Sequence, residues 1–248
     1  MPEAALDRAH PASATAPVLD VKGLQAWYNE SHILQGVDLD VREGEVVTLL
    51  GRNGAGKTTT LKAIMGIVGK RTGSVVFNGQ ELIRLPIERI ARLGLALCPE
   101  ERAIFASLTV KENLFLPPAI TRIGAMSPER IFALFPNLKE RLASGGGKLS
   151  GGEQQMLAIA RILRTGARFL MLDEPTEGLA PVIIQQIGRT IAELKREGFT
   201  ILLVEQNFRF ASTLADRFFL MEHGRIIDSF PNSELGGRMA TLHEALGV

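Results

Sequence analysis

Two glycine-rich segments of this sequence have the form of phosphate-binding helix starts. The first, GRNGAGKTTT at residues 51–60, follows the apolar run VVTLL and matches the pattern G-x-x-x-x-G-K-[ST]. In this pattern backbone N–H groups surround a phosphate, the lysine reaches the β- and γ-phosphate oxygens, and the threonine hydroxyl binds Mg²⁺. The sequence therefore predicts a site for a nucleoside triphosphate, with Thr58 as a metal ligand. The predicted nucleotide-binding residues of this loop are Gly51, Asn53, Gly54, Gly56, Lys57, Thr58 and Thr59.

Two adjacent carboxylates could supply the chemistry of such a site. Asp173 and Glu174 follow the apolar run FLML, which is typical of a strand buried on both faces. Open α/β sheets bind ligands at the carboxyl ends of their strands, so both side chains are expected to face the phosphate loop. Phosphoryl transfer to water needs a metal ligand and a group that positions or deprotonates the water. We predict that Asp173 binds the metal and that Glu174 is the general base.

The second glycine-rich segment, KLSGGEQQMLAIARIL at residues 148–163, also begins a helix. Ser150 and Glu153 form a capping box, and the apolar residues after them continue one helical face. Gly151 and Gly152 lower helix stability and are not required by the cap, which favours close approach of an anion to the first N–H groups. A nucleotide held at the first loop does not need this second helix start. The alternative interpretation is a well-capped core helix.

Short apolar runs alternate with helical patterns along most of the chain. The runs VVTLL, FLML, TILLVE and RFFLM predict strands buried on both faces, whereas VLDVKGLQAWY and GVDLDV alternate as half-buried strands do. Helices are predicted at residues 58–66, 150–164 and 181–197. This order predicts a parallel sheet covered by helices, with a helical lobe inserted at about residues 99–149.

The net charge, the cysteine count and the length of the apolar runs limit the classes to which the protein could belong. With 28 Lys and Arg against 27 Asp and Glu in 248 residues, the formal net charge of +1 disfavours a general attraction to nucleic acid or anionic membranes. The single cysteine, Cys98, has no partner within the chain, which suits a reducing compartment. No apolar run reaches the roughly 18 residues of a membrane span. Residues 1–17, rich in alanine and proline, are predicted to be a disordered tail before one domain at residues 18–248.

The phosphate loop, the segment LSGGE and the carboxylate pair, in this order, resemble the ATP-binding-cassette (ABC) family, whose signature motif is LSGGQ. The resemblance covers nearly the whole chain from about residue 18. It implies an α/β fold: a P-loop NTPase parallel-sheet core with an antiparallel β subdomain and an inserted α-helical lobe. It also implies that two subunits sandwich ATP head to tail, so that Ser150 and Gly152 contact the γ-phosphate of the partner's ATP, and Gly151 between them is a predicted nucleotide-binding residue. Tyr28 matches the aromatic residue that stacks on adenine; for Tyr28 and its neighbour Trp27, ordinary strand packing is the alternative.

Four positions depart from the usual pattern of this family. Glu153 replaces the signature glutamine, and Ala180 stands where many members have aspartate. Glu100 replaces the glutamine that senses Mg²⁺, and the resemblance makes it a predicted metal-site residue. Gln206 replaces the switch histidine beside the γ-phosphate, and the resemblance makes it a predicted catalytic residue. Glu100 and Gln206, together with the segments LSGGEQQMLAIAR and GLAPVII, make the chain resemble one of the two ATPase subunits of branched-chain amino-acid importers and their hydrophobic-amino-acid relatives.

The resemblance predicts an ATP-hydrolysing subunit of an importer. The implied partners are two transmembrane permease subunits, a second ATPase that forms a heterodimer rather than a homodimer, and indirectly a periplasmic solute-binding protein; nucleic acid is not expected. The implied location is the cytoplasmic face of the cell membrane. Two alternatives stay open. A regulatory ATP-binding clamp that barely hydrolyses its own nucleotide is favoured by Gln206 and disfavoured by Glu174. A non-transport cassette ATPase acting on ribosomes or DNA is disfavoured by the single cassette and the near-zero net charge.

Overall fold

The computed structural model describes residues 16–120 and 124–247. Most of the predicted tail, residues 1–15, lies outside the described residues. The strands are β1 (Leu19–Tyr28), β2 (Ser31–Val41), β3 (Val46–Leu50), β4 (Lys70–Phe77), β5 (Gln80–Glu81), β6 (Leu95–Cys98), β7 (Phe169–Asp173), β8 (Thr200–Glu205), β9 (Arg217–Glu222) and β10 (Arg225–Pro231). The helices are α1 (Lys57–Ile64), α2 (Ile87–Arg92), α3 (Val110–Phe115), α4 (Pro128–Leu134), α5 (Pro136–Glu140), α6 (Gly151–Arg164), α7 (Pro181–Arg196), α8 (Phe208–Ala211) and α9 (Leu235–Leu246). None of the helices within these residues has the length and apolar character that a bilayer span requires.

The central sheet has six strands in the order β10-β9-β3-β8-β7-β6. All neighbours pair in parallel except β10, which returns antiparallel to β9. Along β7, Leu170 and Leu172 enter one hydrophobic core, whereas Phe169 and Met171 enter a second core on the opposite face. The unbroken apolar runs of the sequence therefore correspond to strands that are covered on both faces, as parallel sheets usually are.

A second, antiparallel sheet and the helices cover the two faces of the central sheet. The second sheet has the order β2-β1-β4-β5 and, with α1, shares the core of Phe169 and Met171. Phe77 of β4 meets Phe169 edge to face, with ring centroids 5.4 Å apart. Helices α6 and α7 share the opposite core with the short helices α3 to α5, which lie within residues 99–149. The predicted α/β fold with a P-loop NTPase core is confirmed.

Local sequence signals set the ends of the helices beside the sheet. Helix α7 starts at Pro181, a residue suited to the first helical position, and ends where Gly198 adopts φ +79°. The N–H of Phe199 then donates to the carbonyl of Leu194, which closes the helix. Helix α1 is shorter than the predicted 58–66 because Gly66, at φ +75°, turns the chain after Met65.

Candidate functional site: a phosphate loop at the carboxyl edge of the sheet

The phosphate loop connects β3 to α1 at the carboxyl edge of the central sheet. Gly54 (φ +82°) and Gly56 (φ +111°) lie in the left-handed backbone region, which glycine adopts without a steric penalty. A Cβ atom at Gly51 would lie 2.5 Å from the carbonyl oxygen of Met221, so a larger residue would displace the neighbouring backbone. No side chain caps α1, whose first N–H groups stay available to an anion. The loop thus has the backbone of an anion-binding concavity.

A cavity of about 370 Å³ opens beside this loop. It joins the loop to the end of β1, the segment after β6 and the turn after β7, and none of Ser150, Gly151, Gly152 or Gln206 lines it. Most of the residues predicted from the sequence for the nucleotide are therefore in one place. The lining residues are Tyr28, Ile33, Asn53, Gly54, Gly56, Lys57, Thr58, Thr59, Glu100, Glu174 and Glu177.

Lys57 links the phosphate loop to the predicted general base. Its Nζ donates to the carbonyl oxygens of Gly51 at 2.7 Å and Arg52 at 3.1 Å, and it forms an ion pair with Glu174 Oε1 at 3.0 Å. Both charged side chains are buried, with 3% and 9% exposed. Removal of either partner would leave a buried charge uncompensated. If Lys57 leaves Glu174, it therefore needs another anion beside it, and a bound phosphate could be that anion.

The residues around Asp173 fit a hard divalent cation. Thr58 Oγ1 donates to Asp173 Oδ1 at 3.1 Å, while Asp173 Oδ2 is buried and has no hydrogen-bond partner in the described part of the chain. Burial raises the pKa of Asp173 to about 6, and the charges of Glu174 and Glu100 act in the same direction. No group of three or more His, Cys, Asp or Glu among the described residues could hold a metal alone. Such a set suits Mg²⁺, which usually binds through one or two protein oxygens, substrate phosphates and water.

Two further carboxylates line the cavity beside this ion pair. Glu100 and Glu177 line the cavity with Glu174, and a hydrogen bond with Glu174 is the main cause that raises the pKa of Glu177. The charges of Glu174 and Glu100 add to this effect. A triphosphate entering here would meet this negative charge, which Lys57 and a bound cation would offset. Sequence analysis missed Glu177, although its place three residues after Glu174 was a usable signal.

The two aromatic residues at the end of β1 differ in their surroundings. Tyr28 is 45% exposed and lines the cavity, as an adenine-stacking residue must. Trp27 instead stacks face to face on His32, with ring centroids 4.4 Å apart, and Lys70 Nζ lies 4.8 Å from its centroid. Strand packing therefore accounts for Trp27, while Tyr28 stays the candidate for adenine.

The second glycine-rich segment forms the start of α6. Ser150 Oγ accepts from the N–H of Glu153, whose carboxylate accepts from the N–H of Ser150 at 2.8 Å, so the predicted capping box is present. A Cβ atom at Gly152 would lie 2.8 Å from Cγ2 of Ile183 on α7. Packing within the chain thus requires glycine at 152, a reason that the sequence interpretation lacked. At Gly151 the nearest obstacle is the mobile guanidinium end of Arg102, at 3.2 Å, so approach of an anion stays the prediction there.

Gln206 and Glu205 follow one another at the end of β8 and have opposite environments. The Gln206 side chain is exposed and makes no hydrogen bond in the described part of the chain. Glu205 is only 2% exposed, and its Oε1 accepts from Thr176 Oγ1 at 2.8 Å. Sequence analysis missed Glu205, since a carboxylate at the end of an apolar run is typical of a strand that has reached solvent.

Comparison with known proteins agrees with this geometry. The family model described as ABC transporter matches residues 34–177. The high-affinity branched-chain amino acid transport ATP-binding protein BraG of Pseudomonas aeruginosa is 44% identical over 212 residues, covering 85% of this chain and 91% of that protein. The probable branched-chain amino acid transport ATP-binding protein LivF of Archaeoglobus fulgidus is 40% identical, covering 86% of this chain and 91% of that protein.

More distant relatives share the same cassette. The lipopolysaccharide export system ATP-binding protein LptB of Escherichia coli is 34% identical, covering 84% of this chain and 88% of that protein. A solved structure described as the ATP binding subunit of an ABC transporter superposes with a TM-score of 0.75 at 30% identity, covering 93% of this chain and 100% of that chain. The family match spans more than half of the sequence. The chain therefore belongs to the ABC transporter family, as an ATP-binding cassette that hydrolyses ATP to drive transport.

Proposed function

We propose that this chain is the ATP-hydrolysing subunit of an importer for branched-chain or related hydrophobic amino acids. The observation that carries the proposal is the cavity lined by Lys57, Thr58 and Glu174, beside which Asp173 accepts a hydrogen bond from Thr58. The chain that forms it is 44% identical to BraG over most of its length. Two permease subunits would hold the cassette at the cytoplasmic face of the membrane. A second ATPase subunit would complete the dimer, and a periplasmic binding protein would deliver the solute.

ATP binding begins with an exchange of partners at Lys57. The phosphate loop receives the β- and γ-phosphates, and Lys57 turns from the Glu174 carboxylate to their oxygens. Tyr28 stacks on the adenine at the other end of the cavity. Thr58 and Asp173, with Glu100 nearby, are the residues that would hold Mg²⁺, which would offset charge on the phosphate oxygens.

Hydrolysis then uses the carboxylate that Lys57 has released. Glu174 lies at the end of β7 and is held by its own N–H, which donates to the carbonyl of Val204 at 2.9 Å. In this proposal it accepts a proton from the attacking water. Gln206 donates from its side-chain amide to a γ-phosphate oxygen or to that water once the partner subunit closes over the site. The partner's site in turn receives Ser150, Gly151 and Gly152.

Reconstitution with the permeases and the second ATPase tests the substrate class. The complex is placed in proteoliposomes, and uptake of radiolabelled leucine and ATP hydrolysis are measured with and without solute-loaded binding protein. We expect leucine uptake that depends on ATP and is absent in the Glu174→Gln variant. Stimulation of hydrolysis without any uptake of branched-chain or other apolar amino acids would contradict the importer assignment.

An exporter of the lipopolysaccharide type is the second candidate that an observation favours. LptB of Escherichia coli shares 34% identity over 84% of this chain, so the cassette alone is compatible with that partner class. The same proteoliposomes separate the two functions if lipopolysaccharide replaces the binding protein. Stimulation of ATP hydrolysis by lipopolysaccharide, with no response to leucine-loaded binding protein, would favour the exporter.

Variants of Gln206 test whether this chain is an active ATPase or a regulatory clamp that barely hydrolyses its own ATP. Single-turnover hydrolysis is measured in a complex in which the phosphate-loop lysine of the partner ATPase has been replaced. The measured rate then comes only from the ATP held by this chain's phosphate loop. We propose that Gln206→Ala slows this turnover and Gln206→His quickens it, because an imidazolium stabilises developing charge better than an amide. An unchanged rate in Gln206→Ala would assign Gln206 to an ordinary surface loop.

A further inference from the structure

A buried carboxylate with no role in the scheme above lies directly behind the site. Glu205 is the last residue of β8, is 2% exposed and does not line the nucleotide cavity. Both of its oxygens accept hydrogen bonds. Oε1 accepts from Thr176 Oγ1 at 2.8 Å, and Oε2 accepts from the N–H of Asn207 at 3.2 Å.

The two donors belong to the two loops that carry the proposed catalytic residues. Thr176 lies in the turn that begins at Glu174, where the N–H of Glu177 donates to the Glu174 carbonyl at 3.1 Å. Asn207 follows Gln206 directly and caps α8 by accepting from the N–H of Phe210 at 3.1 Å. One carboxylate thus bridges the turn of the general base and the loop of the switch residue.

This carboxylate is costly for the fold taken alone. Burial raises the pKa of Glu205 to about 7, and the charge of Glu174 adds to the rise, while the hydrogen bonds from Thr176 and Asn207 oppose it. An apolar residue at the end of β8 would avoid this desolvation. Buried polar groups that work against stability are most readily understood where they fix a functional geometry.

We propose that Glu205 is a positioning residue that holds the Glu174 turn and the Gln206 loop in one mutual geometry, and this proposal rests on the function proposed above for those two residues. A carboxylate is the group that offers an acceptor to both donors at once. A glutamine at 205 would keep the bond from Thr176 but would present an N–H₂ group to the N–H of Asn207. The Gln206 loop would then lose its fixed distance from Glu174.

The test compares Glu205→Gln, Glu205→Ala and Thr176→Val in the assembled complex. Thr48→Val is the matched control, because the Thr48 hydroxyl on β3 is buried and has no hydrogen-bond partner in the described part of the chain. Equilibrium binding of Mg-ATP and single-turnover hydrolysis are measured separately. We expect ATP affinity within about twofold of wild type in all variants, and hydrolysis slowed about ten- to a hundredfold in Glu205→Ala and Thr176→Val. Glu205→Gln should fall between wild type and Glu205→Ala, and Thr48→Val should hydrolyse at the wild-type rate.

A double variant distinguishes positioning from a general loss of structure. If Thr176 acts through Glu205, Glu205→Ala combined with Thr176→Val should be no slower than Glu205→Ala alone. Wild-type hydrolysis in Thr176→Val and Glu205→Gln would overturn the proposal, as would a parallel loss of ATP affinity and hydrolysis. Failure of the underlying function is recognised separately: the wild-type complex would not hydrolyse ATP, or Glu174→Gln would hydrolyse it normally.

Discussion

At the scale of single residues, we propose that the ion pair between Lys57 and Glu174 joins ATP binding to catalysis. The two groups are 3.0 Å apart and buried, so each is stabilised by the other. In the proposed function Lys57 transfers to phosphate and leaves Glu174 beside the carboxylate of Glu177, with which it shares a hydrogen bond. Under this proposal ATP binding frees the general base from the cation that neutralised it.

Replacement of Glu174 by glutamine separates the two steps. Glu174→Gln cannot accept the proton of water, so we expect hydrolysis to fall about a hundredfold or more while Mg-ATP affinity is kept or improved. Binding can be measured by calorimetry, turnover by phosphate release, and dimer closure by size-exclusion chromatography with ATP. Glu177→Gln, which changes the same cavity, is the control and should hydrolyse faster than Glu174→Gln. Rapid hydrolysis by Glu174→Gln would remove Glu174 from its role.

The residues that sequence analysis found and those it missed differ in a physical way. The phosphate loop and Asp173 are recognisable because their spacing is fixed by the ligand, which makes a local pattern. Glu205 and Thr176 are 29 positions apart and meet because β7 and β8 are neighbours in the sheet. A contact of this kind depends on strand order, which local patterns do not contain. The same holds for Gly152, whose constraint comes from Ile183 on another helix.

At the scale of elements, the two long helices begin with different caps. Helix α6 has a complete capping box, whereas the N-cap of α7 is Ala180, with no side-chain hydrogen bond to the free N–H groups. Pro181 at the first position fixes φ but adds no acceptor. The N-cap position of helix α7 therefore lacks a side-chain hydrogen bond that would stabilise the start of the helix.

An aspartate at 180 should stabilise the protein. Ala180→Asp adds an acceptor for the first N–H groups and a negative charge at the helix start, which together are worth about 1 kcal/mol. The change is measured as an increase in the urea midpoint of unfolding. Ala180→Asn should give a similar gain through the hydrogen bond alone, and Ala180→Leu should give none. A gain in Ala180→Leu would show that packing, not capping, is responsible.

The contact between Gly152 and Ile183 predicts an effect on stability that is separate from the partner's ATP. Gly152→Ala would place a methyl group 2.8 Å from Ile183, and relief of this overlap should cost about 1–3 kcal/mol of unfolding free energy. Gly151→Ala meets only the movable end of Arg102 and should cost less. Ile183→Ala should restore stability to Gly152→Ala. If Gly152→Ala destabilised the wild-type protein and the Ile183→Ala variant equally, the packing explanation would be contradicted.

Some strands could be predicted and others could not, for reasons visible in their sequences. The apolar runs of β3, β7, β8 and β9 are long enough to indicate burial without knowledge of neighbours. Strand β4 begins with Lys70 and Arg71 and contains Gly73, a pattern that is weak for a strand. It forms because β1 pairs with it along its length. Its formation is set by tertiary pairing rather than by local propensity.

At the scale of the whole molecule, the core on the α6 and α7 face of the central sheet protects the only thiol. Cys98 ends β6, is 1% exposed, and lies in the core formed with α6 and α7. Burial raises the pKa of Cys98 to about 12, so the thiol is protonated at neutral pH as well as inaccessible. Its reaction with a reagent requires the protein to open.

Thiol labelling should therefore report global unfolding. We expect native protein at pH 8 to react with Ellman's reagent only at the rate at which it unfolds, since the reactive thiolate is nearly absent and shielded. In guanidinium chloride one equivalent should react at once, because the chain has a single cysteine. The Cys98→Ala variant provides the background. Fast stoichiometric labelling of the native protein would contradict the buried position of Cys98.

The stacking of Trp27 on His32 has an optical consequence. Trp27 and Tyr28 are the only tryptophan and the only tyrosine of the chain, and they are the last two residues of β1, where Tyr28 lines the cavity. All tryptophan fluorescence therefore originates within one corner of the molecule, from an indole held between His32 and Lys70. Because Trp27 directly precedes Tyr28, we expect its emission to respond to adenine that binds against Tyr28, and the chain has no second indole to obscure the signal.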